Sequence, residues 1–214
     1  MKTVLSAALF AAALALAAAP GAFAQAPPPA AEVSGDKLAL KLIPAAKDAK
    51  LKVSSPAFAD MGDIPYENTQ YRTNTFPGLE WSKGPKGTQS YAIIMQDTDG
   101  ANKGDAILHW TMFNIPSSVT KLDAGMTAPP GGAMYGPNVR GPEHAYMGPR
   151  TPAGPKHRYH LQVFALDTIL QGNATLSWDD LKAALAGHVL ASGQVIGLGS
   201  VDPNAPKPPP RPAA

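Results

Sequence analysis

The sequence contains no cysteine. That excludes a disulfide scaffold, a cysteine-type zinc site, a thiol nucleophile and a lipidated N-terminal cysteine. Charge is sparse: 16% of residues are charged, against about 25% in an average soluble domain. The 18 basic and 16 acidic residues leave a formal charge of +2, so no strong basic field is available to hold a nucleic acid backbone. The sharp enzyme signatures are also missing. There is no Gly-x-Ser-x-Gly elbow, no His-Glu-x-x-His, no phosphate loop ending in Gly-Lys-Ser/Thr and no full Gly-x-Gly-x-x-Gly. Gly197-Leu198-Gly199 lacks the third glycine and reads as strand. There is no internal repeat. After the N-terminus, no apolar stretch approaches the roughly 20 residues of a membrane span.

The 214 residues fit one domain plus appendages. Proline marks the appendages, with 10 of the 23 prolines at the two ends. Residues 1–24 read as a secretory signal peptide: Lys2 gives the positive start, Val4 to Ala19 is apolar except for Ser6, and Ala22-Phe23-Ala24 offers a cleavage site. Residues 25–37 read as a Pro/Ala-rich linker, 38–201 as the folded domain, and 202–214 as a disordered Pro-rich tail. Asn173-Ala174-Thr175 is a formal glycosylation sequon without meaning in a bacterial protein. Export without cysteines suits a periplasmic or secreted protein, with no stable membrane insertion after signal cleavage.

The domain is strand-rich. Leu38–Leu42 and Leu51–Val53 alternate apolar and polar residues, and Tyr91–Gln96 is a run buried on both faces. Ile107–Ile115 and Tyr159–Leu166 carry the aromatic and branched residues of buried strands, and Gln194–Val201 reads as the last strand. One helix is clear, capped by Ser177 with Asp180 at the capping-box position. Trp178, Leu181, Leu185 and Val189 form its apolar face, and Ser192-Gly193 ends it. No strand–helix rhythm supports a parallel Rossmann-type sheet. Between Pro116 and Lys156 lie about 40 residues rich in Gly and Pro, far beyond the roughly 15 of an ordinary loop. Its rigid end before Tyr159 suits a preformed pocket wall.

Polar residues recur at strand spacing. Residues two apart face the same way, so Asp97 can pair with Asp99, and His157 with Tyr159. By the same alternation His109 shares its face with Ile107, Thr111 and Phe113, opposite Trp110 and Met112. A histidine in such an apolar run is costly without a partner. Singly, His109 reads as a satisfied core histidine, Asp99-Gly100 as a turn, and Arg158 and Arg150 as solvated charges. Their joint occurrence at the ends of neighbouring strands points to a site.

The series SSPAF (54–58), FPGLEW (76–81), Asp97-Thr98-Asp99, HWTMFNIP (109–116), Gly148-Pro149 to Gly154, HRY (157–159) and GHVLASGQVIG (187–197) resembles the phosphatidylethanolamine-binding protein family, closest to its bacterial Raf-kinase-inhibitor-like branch. The resemblance runs over residues 38–201. It implies a mainly β fold, two packed sheets of largely antiparallel strands with a C-terminal helix. It also implies a small anion-binding pocket using Asp97, Asp99, His109, Gly148, Pro149, His157 and Tyr159. Two departures stand out: Thr98 replaces the usual proline between the aspartates, and Arg150-Thr151 follow Pro149 where Cys or Pro is common.

Two imidazoles and a phenol would supply donors to an anion, with an aspartate fixing a histidine's tautomer or charge. The expected function is non-enzymatic binding of a small phosphate-like or zwitterionic headgroup ligand. No cofactor, metal or nucleic acid is expected. One alternative is an inhibitor or modulator of a partner protein, a protease or kinase, docking through the same pocket and its loop. A third reading is a hydrolase or metal-site protein using Asp97, Asp99, His109 and His157.

Overall fold

A computed structural model describes residues 32–47, 49–172 and 175–205. The signal peptide 1–24, most of the linker, Asn173-Ala174 of the sequon and the tail from 206 on lie outside the described residues.

After a 3-10 turn at Gly35–Lys37 come α1 (Ala39–Leu42), β1 (Val53–Ser54), β2 (Gly62–Asp63), β3 (Leu79–Trp81), β4 (Ser90–Asn102), β5 (Asp105–Pro116), β6 (Lys121–Leu122), β7 (Met134–Tyr135), β8 (His157–Leu166), α2 (Trp178–Leu185) and β9 (Val189–Gly199). The described strands form two sheets, a six-stranded one in the order β2-β9-β8-β4-β5-β7 and a three-stranded one in the order β1-β3-β6. All pairings are antiparallel except β2 with β9. The expected two-sheet, mainly β architecture is what the chain adopts.

Alternation along β4 and β8 divides the buried side chains between two layers. Tyr91, Ile93, Met95, Tyr159, Leu161 and Val163 face the small sheet and pack with Leu79, Trp81 and Leu122. Ala92, Ile94, Phe164 and Leu166 face the other way, against Leu181 and Leu185 of α2, Ala39 of α1 and Ile43 at its C-terminal end. The central strands are thus apolar on both faces, as their unbroken hydrophobic runs require.

Three local readings change. Leu38–Leu42, read as a strand, is a helical turn whose N–H groups are taken by the sheet: Ala39 N donates to Gln96 Oε1 at 2.8 Å and Leu40 N to Gln162 Oε1 at 2.9 Å. The closing helix keeps its Ser177–Asp180 capping box but stops at Leu185, and Val189 and Ser192-Gly193 belong to β9. Gly187, at φ 82°, turns the chain out of the helix. Finally, packing starts inside the stretch read as linker and extends into the stretch read as tail. Ser34 is buried and bonded to Thr98 O, and Asp202 is buried and paired with Arg72.

Candidate functional site

Asp97, His109, His157 and Tyr159 meet at the end of the large sheet around a cavity of about 410 Å³. Asp97 and Tyr159 are cross-strand partners in β4 and β8, and His157 follows by the two-residue period. His109 arrives differently. Plain alternation would send it to the helix-covered layer with Thr111 and Phe113. Instead, Leu108 opposes Gln96 and Trp110 opposes Met95, which leaves His109 as the extra residue of a β-bulge. The bulge turns its ring toward Tyr159, edge-on at 5.1 Å between centroids. Trp110 then falls into the core against Phe76 and Tyr146.

Asp97 is buried and spends both oxygens. Oδ1 accepts from the N–H groups of Asp99 and Gly100, each at 2.9 Å, in an Asx-type turn. Oδ2 lies 2.9 Å from His157 Nδ1, which donates to it. His109 Nδ1 donates to Met147 O at 3.0 Å. Burial lowers the His109 imidazole below its ordinary value, with the Met147 carbonyl and the Asp97 charge opposing. The Tyr159 phenol is pushed far above its usual range by burial, helped by the Asp97 charge. It therefore stays protonated, sharing a 2.9 Å hydrogen bond with Thr151 Oγ1.

The remaining expected site residues are near this cavity without forming its surface. The turn after Thr98 swings Asp99 away to Arg158, whose backbone N and Nε both lie 2.7 Å from Asp99 Oδ2. Burial works to raise the Asp99 carboxyl, and these bonds and the Arg158 charge overrule it, so it titrates below the usual range. Gly148 and Pro149 stand behind the wall. Gly148 O accepts from Gln70 Nε2 at 2.6 Å and Pro149 O from Gln70 N at 2.9 Å. A Cβ at Gly148 would overlap the Asn68 carbonyl. Thr98, the residue in place of proline, points to the opposite layer and lies 3.0 Å from His160 Nε2.

Sequence reasoning missed Gln70 and Arg140, and it placed Arg150 in solvent. All three line the cavity. Arg140 donates to Gln70 Oε1 at 3.1 Å, and the exposed Arg150 lies over the Tyr71 ring at 5.5 Å. Gln70 and Arg140 sit in irregular segments with no periodic signal. A larger cleft of about 900 Å³ lies elsewhere, lined by Lys83, Lys86, Thr88, Ser117 and Ser118. Its buried phenol, Tyr91, is already engaged by the Gly84 N–H, so the smaller cavity holds the better-developed chemistry. Among the described residues no group of three or more His, Asp or Glu is arranged to hold a metal ion. No described helix is long and apolar enough to cross a membrane.

Comparison with known proteins agrees with this architecture. The family model for phosphatidylethanolamine-binding proteins matches residues 54–200. A UPF0098 protein of Methanothermobacter thermautotrophicus is 37% identical over 153 residues, covering 69% of this chain and 97% of its own. The UPF0098 protein YbcL of Escherichia coli is 44% identical over 101 residues, 44% of this chain and 54% of its own. Among solved structures, a phosphatidylethanolamine-binding protein homolog from Chlamydia trachomatis superposes with a TM-score of 0.65 at 27% identity, covering 72% of this chain and 99% of its own. The structure of E. coli YbcL gives the same score and identity over 72% of this chain and all of its own. The chain therefore belongs to the phosphatidylethanolamine-binding protein family, in the branch of bacterial YbcL and the UPF0098 proteins.

Proposed function

We propose that this is an exported, non-enzymatic binding protein that takes a small phosphate-type oxyanion in the cavity of Asp97, His109, His157 and Tyr159. The observation that carries the reading is unspent hydrogen-bonding capacity at a buried polar cluster. The guanidinium groups of Arg140 and Arg150 border the space beside the buried Tyr159 phenol, which is shared between Thr151 and Asp97. Guanidinium forks match the geometry of phosphate oxygens. Binding is preferred to turnover as the reading because the chain belongs to a family named for binding, and two of the lining groups are unsuited to proton transfer: Asp97 is fully engaged and the phenol keeps its proton. Export rests on the N-terminal pattern of Lys2, the apolar run and Ala22-x-Ala24.

Calorimetric titration of inorganic phosphate into the full chain at pH 7 should give saturable one-to-one binding. Tyr159→Phe, which removes only the hydroxyl, should weaken it by a few-fold. Absence of binding at millimolar phosphate would overturn the reading. N-terminal sequencing of the mature protein should begin at Gln25, and an intact Met1 would remove the case for export.

A further inference from the structure

The larger cleft, of about 900 Å³, lies at the start of β4 and the end of β5, where Ser90 pairs with Pro116. The Asp97 cavity is roughly 20 Å further along β4, at about 3.3 Å per residue. The cleft's volume falls within the roughly 300–1,000 Å³ of a small-molecule site.

Both walls are hydrogen-bonded turns. On one side Pro85 O accepts from Thr88 N at 3.1 Å and from Thr88 Oγ1 at 2.7 Å. A Cβ at Gly84 would overlap Thr88 Oγ1, and Gly87 stands at φ 99°. On the other side Val119 N donates to Pro116 O at 2.9 Å, closing the turn that carries Ser117 and Ser118. Between them lies the fully buried Tyr91, its ring edge-on to Trp81 at 5.5 Å between centroids. The Tyr91 oxygen accepts from the Gly84 N–H at 2.8 Å. A phenol also has one proton to donate, and no described residue accepts it. A buried donor without an acceptor is costly, so an acceptor brought in by a ligand gains there.

The charge is one-sided. Lys83 and Lys86 are exposed and have no ion-pair partner among the described residues, and the described lining contains no Asp, Glu or Arg. Two ammonium groups without a counter-charge call for an anion. With no guanidinium fork, nothing there matches phosphate geometry in particular, and a carboxylate suits the ammonium point charges as well. The Ser117, Ser118 and Thr120 hydroxyls make no described hydrogen bond. Each can donate and accept, as the hydroxyl groups of a ligand do. Apolar anchorage for a peptide side chain is scant, since Pro85 is the single exposed apolar side chain of the described lining.

We propose that this cleft binds an acidic saccharide, a sugar that carries a carboxylate. The carboxylate lies with Lys83 and Lys86, the ring hydroxyls exchange hydrogen bonds with Ser117, Ser118 and Thr120, and one sugar oxygen accepts from the Tyr91 phenol. The proposal is independent of the reading given to the Asp97 cavity.

The test is a titration of the full chain followed by amide NMR shifts, with three probes. They are cellobiouronic acid; cellobiose, in which a hydroxymethyl group replaces the carboxylate; and triglutamate, an acidic peptide. Cellobiouronic acid should saturate at millimolar concentration and shift the amides of 83–88 and 117–120. It should bind about 4- to 25-fold tighter than cellobiose, two exposed charge pairs at about two- to fivefold each. Added salt should erode that difference, and the double variant Lys83→Gln, Lys86→Gln should abolish it while leaving phosphate titration of the chain unchanged. Tyr91→Phe should weaken cellobiouronic acid by about three- to tenfold. Because that change also strips the Gly84 N–H of its acceptor, Ser117→Ala serves as the second variant, with an expected loss of about two- to fivefold. Equal affinity for the two disaccharides, tighter binding of triglutamate, no binding by any probe, or shifts confined to the Asp97 cavity would each overturn the proposal.

Discussion

The two faces of the same strands carry two buried polar clusters, and they end differently. Facing the helices lie Gln96, Thr98, His160, Gln162 and Gln194. His160 makes hydrogen bonds at both ring nitrogens, to Gln194 Oε1 and Thr98 Oγ1, each at 3.0 Å. Gln96 and Gln162 bind each other and the backbone of α1. Glu32 lies 3.4 Å from His160, and Ser34 seals the edge by donating to Thr98 O and Gly100 O, each at 3.1 Å. The protein answers this cluster itself. On the other face Asp97, His109, His157 and Tyr159 open onto a cavity that the chain does not fill. Both clusters contain buried histidines and amide or acid partners, so residue type does not distinguish them. Whether the chain closes the hydrogen bonds does.

The largest expected break is Asp97→Ala. It would strand the Asp99 and Gly100 N–H groups and His157 on the cavity side. Chemical denaturation should show a loss of about 3–5 kcal/mol, together with loss of phosphate binding. On the closed face, His160→Ala should cost about 2–3 kcal/mol by leaving Thr98 and Gln194 without their partner.

Acid sharpens the comparison from both sides. Burial lowers His109 and His160 in the folded state, while the unfolded chain titrates near about 6.5. Below that value the unfolded chain holds more protons than the native one, so stability should fall as pH drops from 7 to 5. Denaturant midpoints across that window check the sign, and His160→Ala should flatten the slope. The smallest effect is expected from Ser34→Ala, about 1 kcal/mol. It also loosens the backbone of Thr98 and Gly100, beside the N–H groups that hold Asp97, so a modest loss of phosphate affinity should accompany it.

Much of this was legible before the structure. Unbroken apolar runs marked β4, β5 and β8, and the two-residue period brought Asp97, His157 and Tyr159 to one end of the sheet. Val189 fits the helical period of Leu181 and Leu185, which carried the helix reading too far, although Gly187 held the stop signal. Asp99 failed the same-face expectation because the Asx turn at Asp97 ends regular pleating there. His109 reaches the cavity for a reason alternation cannot supply, since one inserted residue at the bulge reverses its facing. Gln70 and Arg140 come from loops through contacts 70 or more residues apart in sequence. No local pattern records such contacts. The N-terminal segment from Glu32 read as linker because it continues a Pro/Ala-rich run, yet the closed polar face depends on it.

The contrast between the faces is tested most directly by titrating inorganic phosphate into two matched variants at pH 6.5, His109→Ala and His160→Ala. The account predicts that His160→Ala binds within about twofold of wild type despite its lower stability. His109→Ala, having lost the imidazole that lines the cavity, should bind about 10- to 150-fold more weakly. Equal losses in the two variants, or a loss confined to His160→Ala, would contradict it.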